Sequence, residues 1–267
     1  MYRLMVVTDS DETIDFLENY SEWLRNGFKR PHYRKDKDTL IEGMSKHHID
    51  AVAVDLSDLE SYNSVINYLN SEYPMLPIFH IKNSYDALNV SFAILMRCLD
   101  KINEDISDDE LTYEQRFEAV RNRWLSKYMR GKLKDFEEFY DKCEIYRAGF
   151  LLDNPCILAK LKLECDDFFQ SKWHYCAARL EVALRNFLRP DFNNLNITIA
   201  VDDDETCNIL FSNVKSENDK DSNMRDIREF LNSSSSDIHK FLGIKLEIQD
   251  LLYFKNQQEF FESTMIK

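Results

Sequence analysis

Residues 49–56, with the sequence IDAVAVDL, decide the fold because they form a short apolar run that ends on a carboxylate. Two similar runs lie on either side of it, LMVV at 4–7 and PIFHI at 77–81. Runs of this length and composition are typical of strands buried on both faces of a parallel sheet. The segments between them repeat apolar residues at three- and four-residue spacing, which indicates helices. We therefore predict a doubly wound α/β domain, with any functional site at the carboxyl ends of its strands.

The charge balance of the 267-residue chain bears on its partners. Lys and Arg number 34 against 48 for Asp and Glu, which gives a net charge of -14. Such an excess of acid repels a phosphate backbone, so we expect no direct nucleic-acid binding by this chain. Only 5 Gly and 5 Pro occur, which argues against an all-β fold that needs many tight turns.

The cysteines and the first residues bear on the compartment. The six cysteines include no Cys-x-x-Cys pair, so we expect buried free thiols in a reducing environment rather than a zinc or redox motif. Residues 1–7 (MYRLMVV) lack the features of a secretion signal, and no apolar run is long enough to span a bilayer. The expectation is a cytoplasmic protein without a membrane contact.

A change of pattern divides the chain into parts. Residues 1–105 hold the alternating strands and helices, and the acidic segment 103–110 marks their end. Residues 106–150 are predicted to be a helical connector, chiefly one long helix over 112–132. The apolar stripe of that helix consists of Phe117, Val120, Trp124 and Tyr128. The stripe has two interpretations: a helix that dimerises or transmits a signal, or a helix that packs on the following domain.

Residues 151–267 form the last predicted domain. Its predicted elements are, in chain order, a strand at 157–164, a helix at 171–188, strands at 196–201 and 207–211, a helix at 224–242 and a strand at 244–248. The first and last strands alternate apolar and polar residues, which indicates one wet face. Four serines at 233–236 are expected to interrupt the second helix. The order β-α-β-β-α-β predicts a ferredoxin-like α+β domain.

Polar residues at the predicted strand ends form a partial phosphorylation pocket. Thr8 and Asp9 follow the first strand, Asp55 ends the central strand, and Lys82 ends the next one. This layout resembles the receiver domain of bacterial response regulators over residues 1–105. The resemblance implies that Asp55 is the phosphoacceptor and that Asp9 and Asp55 are ligands of Mg²⁺.

Two positions of this pocket depart from the family pattern. Thr8 stands where the family has its first acidic residue, and Lys82 stands where it has a hydroxyl. Lys101 falls on the family lysine that contacts the phosphoryl group, without the proline that usually follows it. We therefore expect an impaired pocket, with the hypothesis that the Lys82 ammonium reaches Asp55 and replaces the charge of the metal. A working Mg²⁺-dependent phosphorylation site and a simple turn cap at Asp55 are the alternatives.

The last domain resembles the catalytic domain of diguanylate cyclases over about residues 155–250. Glu164 and Asp166 lie where that family has an Asp-x-Asp metal segment. The family's Gly-Gly-Asp-Glu turn falls on residues 202–205, which include Asp203, Asp204 and Glu205. Acidic residues here replace the two glycines that let the backbone approach a triphosphate. Successive carboxylates repel a nucleotide, so we expect a solvated hairpin tip on a degenerate, inactive domain.

The three parts follow one another as in the N-terminal regulatory region of AraC-type response regulators. Residues 124–133 (WLSKYMRGKL) look like the start of that family's middle domain. The resemblance implies a non-catalytic protein of two-component signalling, the regulatory portion of a transcription regulator in a phosphorelay. The implied partners are a histidine kinase and a second copy of the chain, with DNA reached only through a module absent from this chain. Mg²⁺ at the receiver pocket is the cofactor implied.

Other functions stay open at this point. The chain could be a functional Mg²⁺-dependent phospho-receiver, with Asp55 as its acceptor. It could be an enzyme with residual nucleotide chemistry at Glu164 and Asp166. It could also be a stand-alone interaction module whose receiver-like face docks a partner helix.

Overall fold

The computed structural model describes residues 1–82, 84–104, 111–133, 136–165, 177–188, 192–202, 206–214 and 220–265. The chain forms two compact units. The first consists of Met1–Asn122 and Glu137–Ala148, and the second of Arg123–Phe136 and Gly149–Lys267. The segment predicted as a connector, 106–150, is therefore divided between the two units.

The first unit is built on a four-stranded parallel sheet. Its strands are β1 (Leu4–Thr8), β2 (His32–Arg34), β3 (Ala51–Asp55) and β4 (Ile78–Phe79). They lie in the order β2-β1-β3-β4, and each neighbouring pair is parallel. Strand β1 is buried along its whole length and β3 is buried up to its last residue, which explains their continuous apolar sequences. The prediction of an α/β fold with a parallel sheet is confirmed.

The helices of the first unit alternate with these strands and follow the last one. They are α1 (Asp11–Glu18), α2 (Lys37–Lys46), α3 (Leu59–Glu72), α4 (Tyr85–Glu104), the first part of α5 (Tyr113–Met129) and most of α6 (Phe136–Ile145). Ser10, Asp36 and Asp58 cap the amino ends of α1, α2 and α3 by accepting hydrogen bonds from backbone N–H groups of the first turn. Each of these residues fixes the position at which its helix begins after the preceding strand or loop.

The second unit is built on a four-stranded antiparallel sheet. Its strands are β5 (Cys156–Cys165), β6 (Asn196–Val201), β7 (Thr206–Ser212) and β8 (Ile244–Phe254). They lie in the order β6-β7-β5-β8, with each neighbouring pair antiparallel. Its helices are the second part of α5, α7 (Ala177–Phe187), α8 (Lys220–Leu242) and α9 (Gln257–Met265). Helix α9 was not predicted.

Helix α8 runs without a break through the four serines, so the predicted interruption at 233–236 is wrong. The apolar side chains Ile227, Leu231 and Ile238 of α8 are buried in the core of the second unit, together with residues of α7 and the sheet. The Ser233 hydroxyl donates to the Phe230 carbonyl one turn earlier at 2.8 Å, a side-chain contact that the helix accommodates. Burial of one helix face outweighs the low helix propensity of serine here.

Four of the cysteines are free and buried thiols: Cys98, Cys143, Cys156 and Cys207. Burial raises the pKa of Cys98 and of Cys156 to about 12, so both thiols are protonated at neutral pH. The side chains of Cys165 and Cys176 lie outside the described residues. None of the helices described in the structure is long and apolar enough to cross a membrane.

Candidate functional site

Asp55 lies at the carboxyl end of β3, directly beside Thr8 at the end of β1. One of its carboxylate oxygens, Oδ2, accepts two hydrogen bonds from hydroxyl groups. Thr8 Oγ1 donates at 3.1 Å, and Thr13 Oγ1, in the first turn of α1, donates at 2.6 Å. Thr8 is fully buried, so its hydroxyl has a fixed position. The sequence analysis did not predict Thr13 as a site residue. Its place in the first turn of the helix that follows β1 is the feature that could have indicated this contact.

Asp9 is engaged by a different loop. Its carboxylate accepts hydrogen bonds from the Ser57 backbone N–H at 3.1 Å and from the Ser57 hydroxyl at 2.5 Å. The Ser57 hydroxyl favours the charged form and holds the pKa of Asp9 below its usual value. Asp9 therefore holds the loop that follows β3.

The residues present do not fit the Mg²⁺ site that the family resemblance implies. Asp9 and Asp55 are each bound by protein hydroxyl groups from different parts of the unit. Within the described ranges, no group of three or more His, Cys, Asp or Glu side chains could hold a metal ion. A hard divalent cation needs several converging oxygen ligands, and Thr8 replaces one carboxylate with a hydroxyl that is already committed to Asp55.

Lys82 does not neutralise Asp55, contrary to the hypothesis drawn from the sequence. Its ammonium forms an ion pair with the Asp141 carboxylate of α6 at 2.8 Å and lies 5.9 Å from the centre of the Tyr140 ring. Asp141 also accepts a hydrogen bond from the Ser91 hydroxyl at 3.3 Å. Helix α6 thus supplies the carboxylate partner of Lys82, and this partner lies 59 positions further along the chain. The sequence pattern could not reveal this contact.

Lys101 does not lie at a strand end. It belongs to the last turn of α4, which continues as a helix to Glu104. The preceding residue, Asp100, accepts a hydrogen bond from the Tyr2 hydroxyl at 2.6 Å, and Tyr2 precedes β1. Lys101 is therefore near the amino end of the sheet, whereas Asp55 is at the carboxyl end. The assignment of Lys101 to the phosphoryl pocket is corrected, because an uninterrupted helix occupies the segment where a further strand would carry it.

His80, which the sequence did not single out, forms a second contact between the end of β4 and α6. Its Nε2 lies 2.7 Å from Glu144 Oε1, and its Nδ1 lies 3.3 Å from the Val54 carbonyl oxygen. The hydrogen bond with Glu144 is the main cause that raises the pKa of His80, although burial opposes it. With the Lys82 pair, this contact attaches α6 to the segment that follows β4.

The cyclase-like positions fall only partly within the described residues. Glu164 is exposed near the end of β5 and lies opposite Lys245 of β8. Lys162 of β5 pairs with Thr206 of β7, so Glu164 and the hairpin turn lie at the same end of the sheet. Asp166, Asp203, Asp204 and Glu205 lie outside the described residues.

Arg130 binds the end of β6 next to this hairpin. Its Nε donates to Asp202 Oδ1 at 2.7 Å, and its Nη2 donates to Glu181 Oε1 at 3.0 Å and to the Val201 carbonyl. Glu181 is only 7% exposed. Its Oε1 also accepts from Ser126 Oγ at 2.8 Å and from the Val201 N–H at 3.0 Å. Both charges of this part-buried pair are therefore matched by hydrogen bonds, as the burial of Glu181 requires.

We call Arg130, Glu181 and Arg185 the edge cap, because they bind the outer edge of β6. In an antiparallel strand, alternate residues direct their N–H and C=O groups away from the paired neighbour. Val201 uses both of these groups on Glu181 and Arg130, and the Ile199 carbonyl accepts from Arg185 Nη2 at 3.3 Å. The edge cap closes part of a strand edge that could otherwise pair with another chain.

Comparison with known proteins adds no identification. No protein-family model matches the chain, and no curated protein matches its sequence at a significant level.

Proposed function

We propose that this chain is a non-catalytic signalling protein, similar to the regulatory portion of an AraC-type response regulator. The observation that carries the proposal is the engagement of Asp55 by the Thr8 and Thr13 hydroxyls at the carboxyl end of a parallel sheet. A carboxylate at this place suits a phosphoacceptor. In this chain, however, the Thr8 and Thr13 hydroxyls hold the Asp55 carboxylate in place, which favours a structural role over phosphoryl transfer.

The strand orders support the two domain assignments. In the first unit the order β2-β1-β3-β4 with parallel pairing is compatible with a receiver-like domain. In the second unit the order β8-β5-β7-β6, with a helix after β5 and another after β7, is compatible with a ferredoxin-like domain. We therefore keep a receiver-like first domain and a degenerate cyclase-like second domain as part of the proposal.

An impaired phosphoacceptor follows from the charges around Asp55. A phosphorylated carboxylate carries a dianion that needs a metal ion and a cationic side chain beside it. The lysine that follows β4, Lys82, is bound to Asp141, and Asp9 is bound to Ser57. With these groups committed elsewhere, the pocket is proposed to keep one conformation rather than to switch on phosphorylation.

Helix α5 is proposed to carry the signal. Its residues up to Asn122 belong to the first unit, and its residues from Arg123 onward belong to the second. Arg130, directly after α5, binds the end of β6 through Asp202 and the Val201 carbonyl. A shift of this helix would act on the β6–β7 hairpin through these contacts.

The proposed partners follow from the family resemblance. They are a histidine kinase, a second copy of the chain, and DNA reached through a separate DNA-binding module. The net charge of -14 supports the last point, because this chain would repel a phosphate backbone. A cytoplasmic location belongs to the same proposal.

Incubation of the full chain with GTP and Mg²⁺ tests the non-catalytic assignment. We expect no cyclic dinucleotide and no release of phosphate above the background of a Glu164→Gln variant. The physical reason is that acidic residues replace the glycines of the phosphate-binding turn. The product is measured by chromatography. A cyclic dinucleotide that forms with the wild-type chain and decreases with the Glu164→Gln variant would overturn the assignment and favour an enzyme with nucleotide chemistry.

A further inference from the structure

A surface cavity of about 640 Å³, widely open to solvent, lies at the amino end of the parallel sheet of the first unit. Its lining includes Tyr2, Arg3, Lys29, Asp50 and Asp100. The volume is in the range of pockets that hold small metabolites. Asp55 is at the opposite, carboxyl end of the same sheet, so this cavity is separate from the site described above.

Backbone hydrogen bonds fix the two cationic residues of the cavity on neighbouring segments. The Lys29 N–H donates to the Tyr2 carbonyl at 2.9 Å, and the Asp50 N–H donates to the Arg3 carbonyl at 2.9 Å. Tyr2 also forms a parallel bridge with Phe28. Arg3 therefore has the Lys29 segment on one side and the Asp50 segment on the other, and the cavity is bordered by ordered backbone.

The acidic residues of the cavity already have protein partners. Asp50 accepts a hydrogen bond from the Arg3 backbone N–H at 2.7 Å, and its other oxygen lies 3.2 Å from the His48 ring. Asp100 accepts from the Tyr2 hydroxyl at 2.6 Å through its Oδ1. Burial and this bond raise the pKa of Tyr2 to about 12, so the hydroxyl remains a donor at neutral pH.

The two cations of the cavity are not matched in this way. Arg3 and Lys29 form no side-chain hydrogen bond or ion pair with any other described residue. An arginine fork together with a lysine point charge is the side-chain chemistry that binds an oxyanion of two negative charges.

We propose that this cavity binds a small phosphorylated polyol. The phosphate lies between Arg3 and Lys29, and a hydroxyl of the ligand donates to the second carboxylate oxygen of Asp100, which the Tyr2 hydroxyl leaves open. The side chain of Met96 provides an apolar wall for the carbon chain. Binding of this ligand does not depend on the proposed signalling function. The phosphorylated polyol would be a ligand to which the first unit responds.

Calorimetric titration of the full chain with glycerol 3-phosphate tests the inference. We expect saturable binding with a dissociation constant of about 1 mM or tighter, weaker binding of inorganic phosphate, and no binding of glycerol. Arg3→Gln and Lys29→Gln should each weaken binding about tenfold, which is the loss of one charge-assisted contact. Both side chains are exposed, and the Arg3 substitution keeps the backbone bond to Asp50, so both variants should fold.

Arg25→Gln is the matched control, because Arg25 is an exposed cation outside the cavity lining, beside Glu22. It should bind glycerol 3-phosphate like the wild type. An absence of saturable binding up to about 10 mM would overturn the inference. So would equal affinity of the wild type and the Arg3→Gln variant. Equal affinity for phosphate and glycerol 3-phosphate would overturn the assignment of a polyol ester.

Discussion

Replacing Glu181 with alanine is expected to lower the free energy of unfolding of the second unit by about 3 kcal/mol. Glu181 is 7% exposed and accepts hydrogen bonds from Arg130, Ser126 and the Val201 N–H. Its removal leaves a buried backbone N–H and a hydroxyl without an acceptor and takes one carboxylate from the guanidinium. Asp202 still binds Arg130 Nε, which keeps the loss below that of a fully isolated charge.

Amide hydrogen exchange of peptides from β5, β6 and β7 measures this loss for the second unit separately from the first. Glu164→Ala is the matched control, because Glu164 is an exposed carboxylate near the same end of the sheet. It should change stability by less than about 0.5 kcal/mol. In an Arg130→Met background the Glu181→Ala substitution should cost much less, because the pair is already broken. Equal losses for Glu181→Ala and Glu164→Ala would contradict the role of the edge cap.

Replacing Gly131 with alanine is expected to destabilise the same unit by at least about 2 kcal/mol. Gly131 ends α5 with φ at +63°, and its N–H donates to the Tyr128 carbonyl at 3.0 Å. A Cβ atom at this position would lie 2.5 Å from the Thr264 carbonyl oxygen. The substitution therefore adds a clash with backbone to the strain of a left-handed residue, and backbone cannot move away cheaply.

Gly149→Ala separates the two causes. Gly149 also has a positive φ, +72°, but a Cβ there would meet only the end of the Asn196 side chain, at 2.9 Å. We expect this variant to lose about 1 kcal/mol, the cost of the backbone conformation alone. Urea unfolding followed by circular dichroism compares the two variants. A loss at Gly131 no greater than that at Gly149 would show that the contact with Thr264 is not a constraint.

The parallel sheet could be predicted because its strands are buried. Burial on both faces makes β1 and β3 continuous apolar runs, and this pattern is visible without any knowledge of contacts. The place of Asp55 at a strand end followed from the same pattern. Thr8 could be placed beside it, because parallel strands bring their carboxyl ends to one edge of the sheet.

The partners of the charged residues could not be predicted. Lys82 binds Asp141 and His80 binds Glu144, and both carboxylates come from α6, whose position beside β4 depends on the tertiary fold. Periodicity describes which face of a helix is buried, and it does not say which element that face meets. The same limit explains Lys101, which the family resemblance placed in the phosphoryl pocket and which lies in the last turn of α4.

The hydroxyl contacts of Asp55 are tested most directly by phosphorylation. The full chain is incubated with acetyl phosphate and Mg²⁺, next to a Asp55→Asn variant and an unrelated active receiver domain as positive control. We expect the mass of the wild-type chain to stay unchanged while the positive control gains one phosphoryl group. The reason is that the Thr8 and Thr13 hydroxyls hold Asp55 and that Lys82 is bound to Asp141. A gain of one phosphoryl mass by the wild type that the Asp55→Asn variant lacks would contradict it and make the chain a functional phospho-receiver.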